Sequence, residues 1–335
     1  MANHTCKHLF IMLIFLLLCS TSNATEYRIA AVLKALNSDY WHSVEAGLID
    51  AAKKYNVDIH VMGPSAETQV IMQCNIIQDQ IAKKIDALIV APIRPESIKG
   101  ILEQAYKNKI PVIAIDTDAK WNKQIAFIGT GNFYASKLAG EYIAKQLNGK
   151  GNVAIIRGAM GDYIFDERTK GFLAGIKNSS INVLTVQPAN SERGLAFNVT
   201  QNILQTHRKK IDAIYAENDE MALGAVMAIK SANIDKKILT VGFDAIPDAI
   251  KSILEGNLTA TVKQNSYEIG YKSVEIAYSY LKGKKVDKYI PIPAQIIDKS
   301  NVMDEVQSLI KIFGYKRTEK LIGKNIISKI KNSNE

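Results

Sequence analysis

From residue 27 onward, short apolar runs rich in β-branched residues alternate with helical patterns almost without interruption, and the whole alternation occurs twice. Runs with strand character lie at 27–33, 58–62, 86–91, 112–116 and 126–128, and the rhythm returns at 153–156, 183–187, 213–216, 239–243 and 259–262. Between them, apolar residues recur at helical spacing. Val44, Leu48, Ala51, Ala52 and Tyr55 fall on one face, and Ala135, Leu138, Ala139, Tyr142 and Ile143 on another. Strands separated by helices pair in parallel, because the crossover brings the chain back to start the next strand in the same direction. The pattern therefore predicts an α/β fold of two doubly wound parallel-sheet lobes meeting near Gly129-Thr130-Gly131-Asn132. At 335 residues and 47% hydrophobic side chains, the chain is long enough for two cores.

The first residues are of a different kind. Lys7 precedes the apolar stretch 9–18, and Ser22-Asn23-Ala24 supplies small residues for cleavage, so 1–24 reads as a secretory signal peptide cut near Ala24. The run is short for a membrane anchor of roughly 20 residues, and Leu18 is large for lipoprotein processing at Cys19. Cleavage leaves Cys74 as the one cysteine, which excludes an internal disulfide and predicts a small buried apolar residue on a helix over 70–81. The net charge of +9 is spread along the chain and thickens in the last thirty residues, which in an exported protein gives solubility and a basic tail rather than nucleic-acid binding.

Catalytic signatures are missing. His42, His60 and His207 stand in separate contexts, no His-x-x-x-His or paired cysteines occur, and no G-x-S-x-G elbow is present. Gly129-Thr130-Gly131 follows a strand, but the next small residue comes one place late for a dinucleotide fingerprint and no acid ends the following strand. No cofactor or metal is expected.

Polar side chains instead mark the strand ends. Asn218 stands in AENDEMALG (216–224), Asp244 in VGFDAIPDA (241–249) and Asp116 in PVIAIDTDA (111–119). Ligands of open α/β sheets sit outside the strands' carboxyl ends, so an amide and two carboxylates converge there. The first turn, LKALNSDYWHSVEAG (33–47), adds Lys34, Asn37, Ser38, Tyr40 and Trp41, and Arg168 opens a helix in the second half. Flat rings beside polar forks suit a sugar, whose C–H faces pack on aromatics while its hydroxyls need donors and acceptors. For Tyr40 and Trp41 the competing expectation is that they cap the core; for Arg168, that it joins Asp166 and Glu167 in a surface ion cluster.

In order and spacing, LKALNSDYW, PVIAID, DERTKGF (166–172), AENDEMALGA, VGFDAIPDA and TATVKQN (259–265) resemble the periplasmic sugar-binding proteins of ABC transporters, of the ribose- and allose-binding type. The resemblance covers 26–298. It implies two lobes joined by three hinge crossings, with 25–130 plus 265–293 in the first lobe, 131–264 plus 294–300 in the second, and 301–335 as a basic C-terminal extension. It implies a non-enzymatic, monomeric periplasmic protein that captures a sugar between closing lobes and passes it to a membrane ABC permease, with no nucleic acid involved. Carried over by position, it places Lys34, Ser38, Tyr40, Trp41, Asp116, Arg168, Asn218, Asp244 and Gln264 around the ligand. Lys34 and Trp41 resemble the allose-binding branch rather than the ribose-binding one, which has serine and phenylalanine there, so an aldohexose is favoured.

Ser38 replaces an asparagine usual in this loop, Asp39 a proline, and Ser191 a stacking aromatic. Relatives also serve as sensor subunits, the alternative reading; an exported α/β enzyme is the third. Repressors that share the core would need a helix-turn-helix where the leader stands. The extension is expected to be loosely packed or disordered; Leu321, Ile322, Ile326, Ile327 and Ile330 among lysines offer a basic amphipathic helix as the other option.

Overall fold

The ten β-type runs become strands in a computed structural model that describes residues 27–207 and 210–333; the leader lies outside them. The strands are β1 (Arg28–Val32), β2 (Asp58–Met62), β3 (Ala87–Val90), β4 (Val112–Ile115), β5 (Ala126–Thr130), β6 (Lys150–Arg157), β7 (Ser180–Pro188), β8 (Ala213–Ala216), β9 (Leu239–Asp244) and β10 (Ala260–Lys263). Every residue of β3, β4 and β8 is buried, as helices on both faces of a parallel sheet require. The helices are α1 (Asp39–Tyr55), α2 (Val70–Ala82), α3 (Pro95–Lys107), α4 (Asn132–Gln146), α5 (Tyr163–Ile176), α6 (Arg193–His207), α7 (Asp219–Ser231), α8 (Pro247–Leu254) and α9 (Ser266–Leu281). Asp162 caps α5 through a side-chain bond to the Ile164 amide, and Asn218 caps α7 by accepting from Met221 at 2.9 Å.

Two further strands were not legible in the sequence: β11 (Tyr289–Ile292) and β12 (Gln295–Asp298). Each is four residues long and sits at a sheet edge, and Pro291 interrupts the first. Edge strands tolerate proline because one side makes no ladder bonds, and that removes the apolar run that would mark them. With them the two sheets have six strands each, in the orders β11-β5-β4-β3-β1-β2 and β12-β10-β9-β8-β6-β7. All pairings are parallel except β10 with β12.

The chain passes between the sheets three times, at β5 to α4, β10 to α9 and β11 to β12. At the first two crossings the Thr130 hydroxyl donates to the Gln264 carbonyl at 3.3 Å, and Asn265 takes φ 52° to turn the chain. After the second crossing α9 returns to the first sheet and packs against α1 at backbone distance. A Cβ on Gly47 would lie 2.0 Å from the Tyr267 carbonyl oxygen, and one on Gly270 equally close to that of Val44, so the two helices interlock through glycine.

Cys74 is half-buried on α2, with its Sγ 3.7 Å from the Ser97 carbonyl, rather than fully enclosed. The extension departs further from expectation. It forms α10 (Val302–Ile322), broken at Gly314 (φ 75°), and α11 (Lys324–Ser333). Val302, Val306, Leu309, Ile322 and Ile327 are buried in one cluster with Ala249, Ile250 and Ile253 of α8, and Leu321 and Ile326 lie partly buried against it. The aliphatic spacing that resembled a membrane-facing stripe is thus used inside the protein, and the tail is folded because burial offsets the cost of ordering it.

Candidate functional site

The carboxyl ends of β1, β4, β8, β9 and β10 deliver Lys34, Asp116, Asn218, Asp244 and Gln264 to the space between the sheets. Asp116 and Asp244 occupy strained backbone, φ 60° and φ 126°, in the region that favours glycine. Strain of this kind persists only where surrounding structure holds it, and it gathers at functional sites.

On the first lobe, the Lys34 ammonium lies 3.2 Å from Asp116 Oδ2, and both side chains are almost wholly buried. Asp116 also accepts hydrogen bonds from the Tyr40 hydroxyl at 2.7 Å and from Thr117 Oγ1 at 3.0 Å. Burial alone would raise the Asp116 pKa, but Lys34, the Tyr40 hydroxyl and Arg168 hold it below the ordinary carboxylate value. Burial likewise opposes the Lys34 charge, and Asp116, Asp162 and Glu67 outweigh it, so the lysine is held above its usual pKa. Tyr40 meets Trp41 edge to face, ring centres 4.9 Å apart, and the Trp41 indole N–H donates to Glu67 Oε1 at 2.8 Å. Burial raises the Glu67 pKa.

On the second lobe, Arg168 is buried, not part of a surface ion cluster. Its guanidinium lies 3.8 Å above the Phe243 ring, Nη1 donates to the Glu217 carbonyl at 2.5 Å, and Nε donates to Asn132 Oδ1 at 2.9 Å. Nη1 is 3.9 Å from Asp244 Oδ1, which also accepts from Gln264 Nε2 at 2.6 Å. Burial pushes Asp244 well above the ordinary carboxylate range, with Arg168 opposing and Asp219 reinforcing the shift.

A cavity of about 220 Å³ separates the lobes, below the roughly 300–1,000 Å³ of pockets for drug-sized ligands. Ser38, Tyr40, Asn218 and Asp244 line it. Ser38 precedes α1 without a side-chain cap bond, so its hydroxyl is not committed to the helix. Lys34, Asp116, Arg168 and Gln264 stand behind this lining and connect to it through Tyr40 and Asp244. Trp41, 1% exposed, backs the site from the core. Sequence reasoning missed Glu67, Asn132 and Glu217. Glu67 sits in a loop with no strand-end signal, and the other two act by holding Arg168. Ser191 also lines the cavity, at φ 63°, and brings no ring to it.

Two buried cations and two buried carboxyl groups thus face each other in pairs, framed by hydroxyl and amide groups. Residues 29–285 match the family model of the periplasmic binding protein domain. The chain belongs to this family. Among its relatives, this periplasmic binding protein is 32% identical over 271 residues to the ribose import binding protein of Escherichia coli, an alignment that spans 81% of this chain and 90% of the relative. It is 31% identical to the D-allose-binding periplasmic protein of the same organism, over 81% and 89% of the two chains. A solved ABC transporter periplasmic solute-binding protein from Actinobacillus succinogenes, with bound D-allose, superposes with a TM-score of 0.79 at 30% identity, covering 83% of this chain and all of that one. These relatives are binding proteins, and this chain is one too, not an enzyme. The 301–335 extension lies beyond the family match.

Proposed function

We propose that this protein is exported, with its leader cut near Ala24, captures a monosaccharide between its closing lobes and delivers it to an ABC permease. The observation that carries this reading is a cavity between the lobes lined by hydroxyl and amide groups and backed by two buried acid–base pairs. Lys34 faces Asp116 just behind that lining, and Arg168, also behind it, faces Asp244, so buried donors and acceptors stand in pairs beside the hydroxyl and amide groups of the wall. A neutral polyol has the complementary chemistry, each hydroxyl both giving and accepting a hydrogen bond.

In this reading Asp116 and Asp244 accept hydroxyl protons from opposite sides, and Lys34, Arg168, Gln264 and the Asn218 Nδ2 donate. Asn218 can do so because its Oδ1 is already committed to the helix cap. Ser38 and Tyr40 reach the ligand from the rim, and Trp41 fixes the Tyr40 ring. Lys34 and Trp41 favour an aldohexose of the allose type over a ribose-like pentose. Calorimetric titration of the purified protein with aldohexoses, pentoses and polyols tests the reading. Saturable binding of an aldohexose supports it, and no heat from any polyhydroxylated solute rejects it.

A further inference from the structure

The C-terminal extension turns its apolar residues inward and leaves a basic surface outward. In the stretch after Gly314, Thr318 and Ile322 are fully buried, and they stand four residues apart on one helical face. At 100° per residue, Lys316 and Lys320 fall opposite that face with Arg317 beside them, and all three are exposed. Lys311 and Lys324, on either side, are exposed as well. Among the described residues none of these five basic side chains forms an ion pair, whereas Lys263, earlier in the same lobe, is paired with Glu305. Arg317 instead lies over the Phe313 ring at 4.7 Å, and Tyr315, 43% exposed, adjoins the patch. Glu319 is the one acid within the turn that carries Lys316, Arg317 and Lys320.

We infer that this face of the extension is a docking surface for an anionic phospholipid membrane, which would hold the protein near the bilayer by charge rather than by insertion. The inference rests on the exported reading of the chain, since an exported protein meets lipid headgroups rather than nucleic acid. Lys316, Arg317 and Lys320 on one helical face, with Lys311 and Lys324 exposed nearby, fit a polyanionic headgroup plane, and clusters of four to eight Lys or Arg recognise anionic lipid. The burial of Ile322 and Ile327 in the α8 cluster removes the apolar face that an inserting helix needs, so attraction here is electrostatic and weakens with salt.

The test is co-sedimentation of the purified protein with vesicles of phosphatidylcholine alone and of phosphatidylcholine with phosphatidylglycerol, at low and at physiological salt. Selective binding to the phosphatidylglycerol vesicles is expected, and K316E/R317E/K320E should abolish it, since each lost cation weakens partition about fivefold. An unchanged sugar titration and melting temperature of the triple variant establish that it remains folded. Equal binding to neutral vesicles overturns the inference, as does binding that survives the triple variant or a preference for poly-glutamate over anionic vesicles in competition. Failure here leaves the sugar calorimetry untouched, so the two readings fall separately.

Discussion

Lys34 and Asp116 form an ion pair of 3.2 Å from which water is almost excluded, the side chains being 4% and 5% exposed. Each charge is the largest single support of the other against burial. The pair therefore serves two purposes: it keeps a carboxylate ionised in a buried place, and it fixes the direction in which that carboxylate points.

Replacing Lys34 with methionine should separate these purposes. The variant leaves Asp116 without its nearest cation, and breaking a buried pair in this way costs about 3–5 kcal/mol. Chemical denaturation at neutral pH should show that loss. At acid pH, where the orphaned carboxyl is protonated, the gap to the unsubstituted protein should shrink. A gap that does not change with pH would assign the loss to packing.

Asp116→Ala and Asp244→Ala are expected to lower sugar affinity with the fold intact. A charge-assisted hydrogen bond contributes about 1.5–3 kcal/mol, or roughly 10- to 150-fold in affinity. Calorimetry reads the change directly, and affinity within threefold of the original protein would show that neither carboxylate touches the ligand.

Stability should fall as pH rises from 5 to 8. Burial lifts Glu217 from 4.5 to about 7 and Asp219 from 3.8 to about 7. Between the ordinary carboxylate values and 7, the folded chain holds protons that the unfolded chain has released, so deprotonation favours unfolding as pH increases. The Asp116 shift has the opposite sign but acts below its ordinary value of 3.8, outside this window. With about two pH units for each of the two groups, the expected loss is at most on the order of 5 kcal/mol. Thermal melts across the range should show it, and Glu217→Gln should flatten the slope. A melting temperature that rises toward pH 8 contradicts the assignment.

Trp41 offers an optical report of the site. Its indole is tied to Glu67 and its ring meets Tyr40, while Trp121 donates to Glu103 on the outer side of the first lobe. Sugar binding should change tryptophan emission in the natural protein and in Trp121→Phe, and much less in Trp41→Phe. An undiminished signal in Trp41→Phe would place the reporting group elsewhere.

Leu309→Ala should destabilise the protein by about 2–5 kcal/mol, the usual cost of emptying a buried leucine site. The measurement is a denaturation midpoint. A cost near zero would mean that the extension does not depend on its contact with α8.

Strand ends with polar tips were readable because a parallel sheet must place its functional side chains there, and Asp116, Asn218, Asp244 and Gln264 do converge. The core faces of α1 and α4 were also legible, since Val44, Leu48, Ala135 and Ala139 are buried as their spacing predicts. Exposed Leu138 shows the limit of periodicity at the edge of a face. What escaped was carried by tertiary context: β11 and β12 have no periodic signature, Glu67 sits in a loop, and Asn132 and Glu217 matter only through Arg168. The extension, expected to be loosely packed or disordered, is folded because its scattered aliphatic residues find a partner in α8, which its lysine-rich sequence does not reveal.

Both sheets are completed by strands that lie only two residues apart, β11 ending at Ile292 and β12 beginning at Gln295. Until that stretch is available, each lobe carries an open sheet edge beside β5 or β10. Neither sheet has all six of its strands until this stretch is in place, so the two lobes are completed by the same segment. One short stretch of chain thus couples the completion of both lobes.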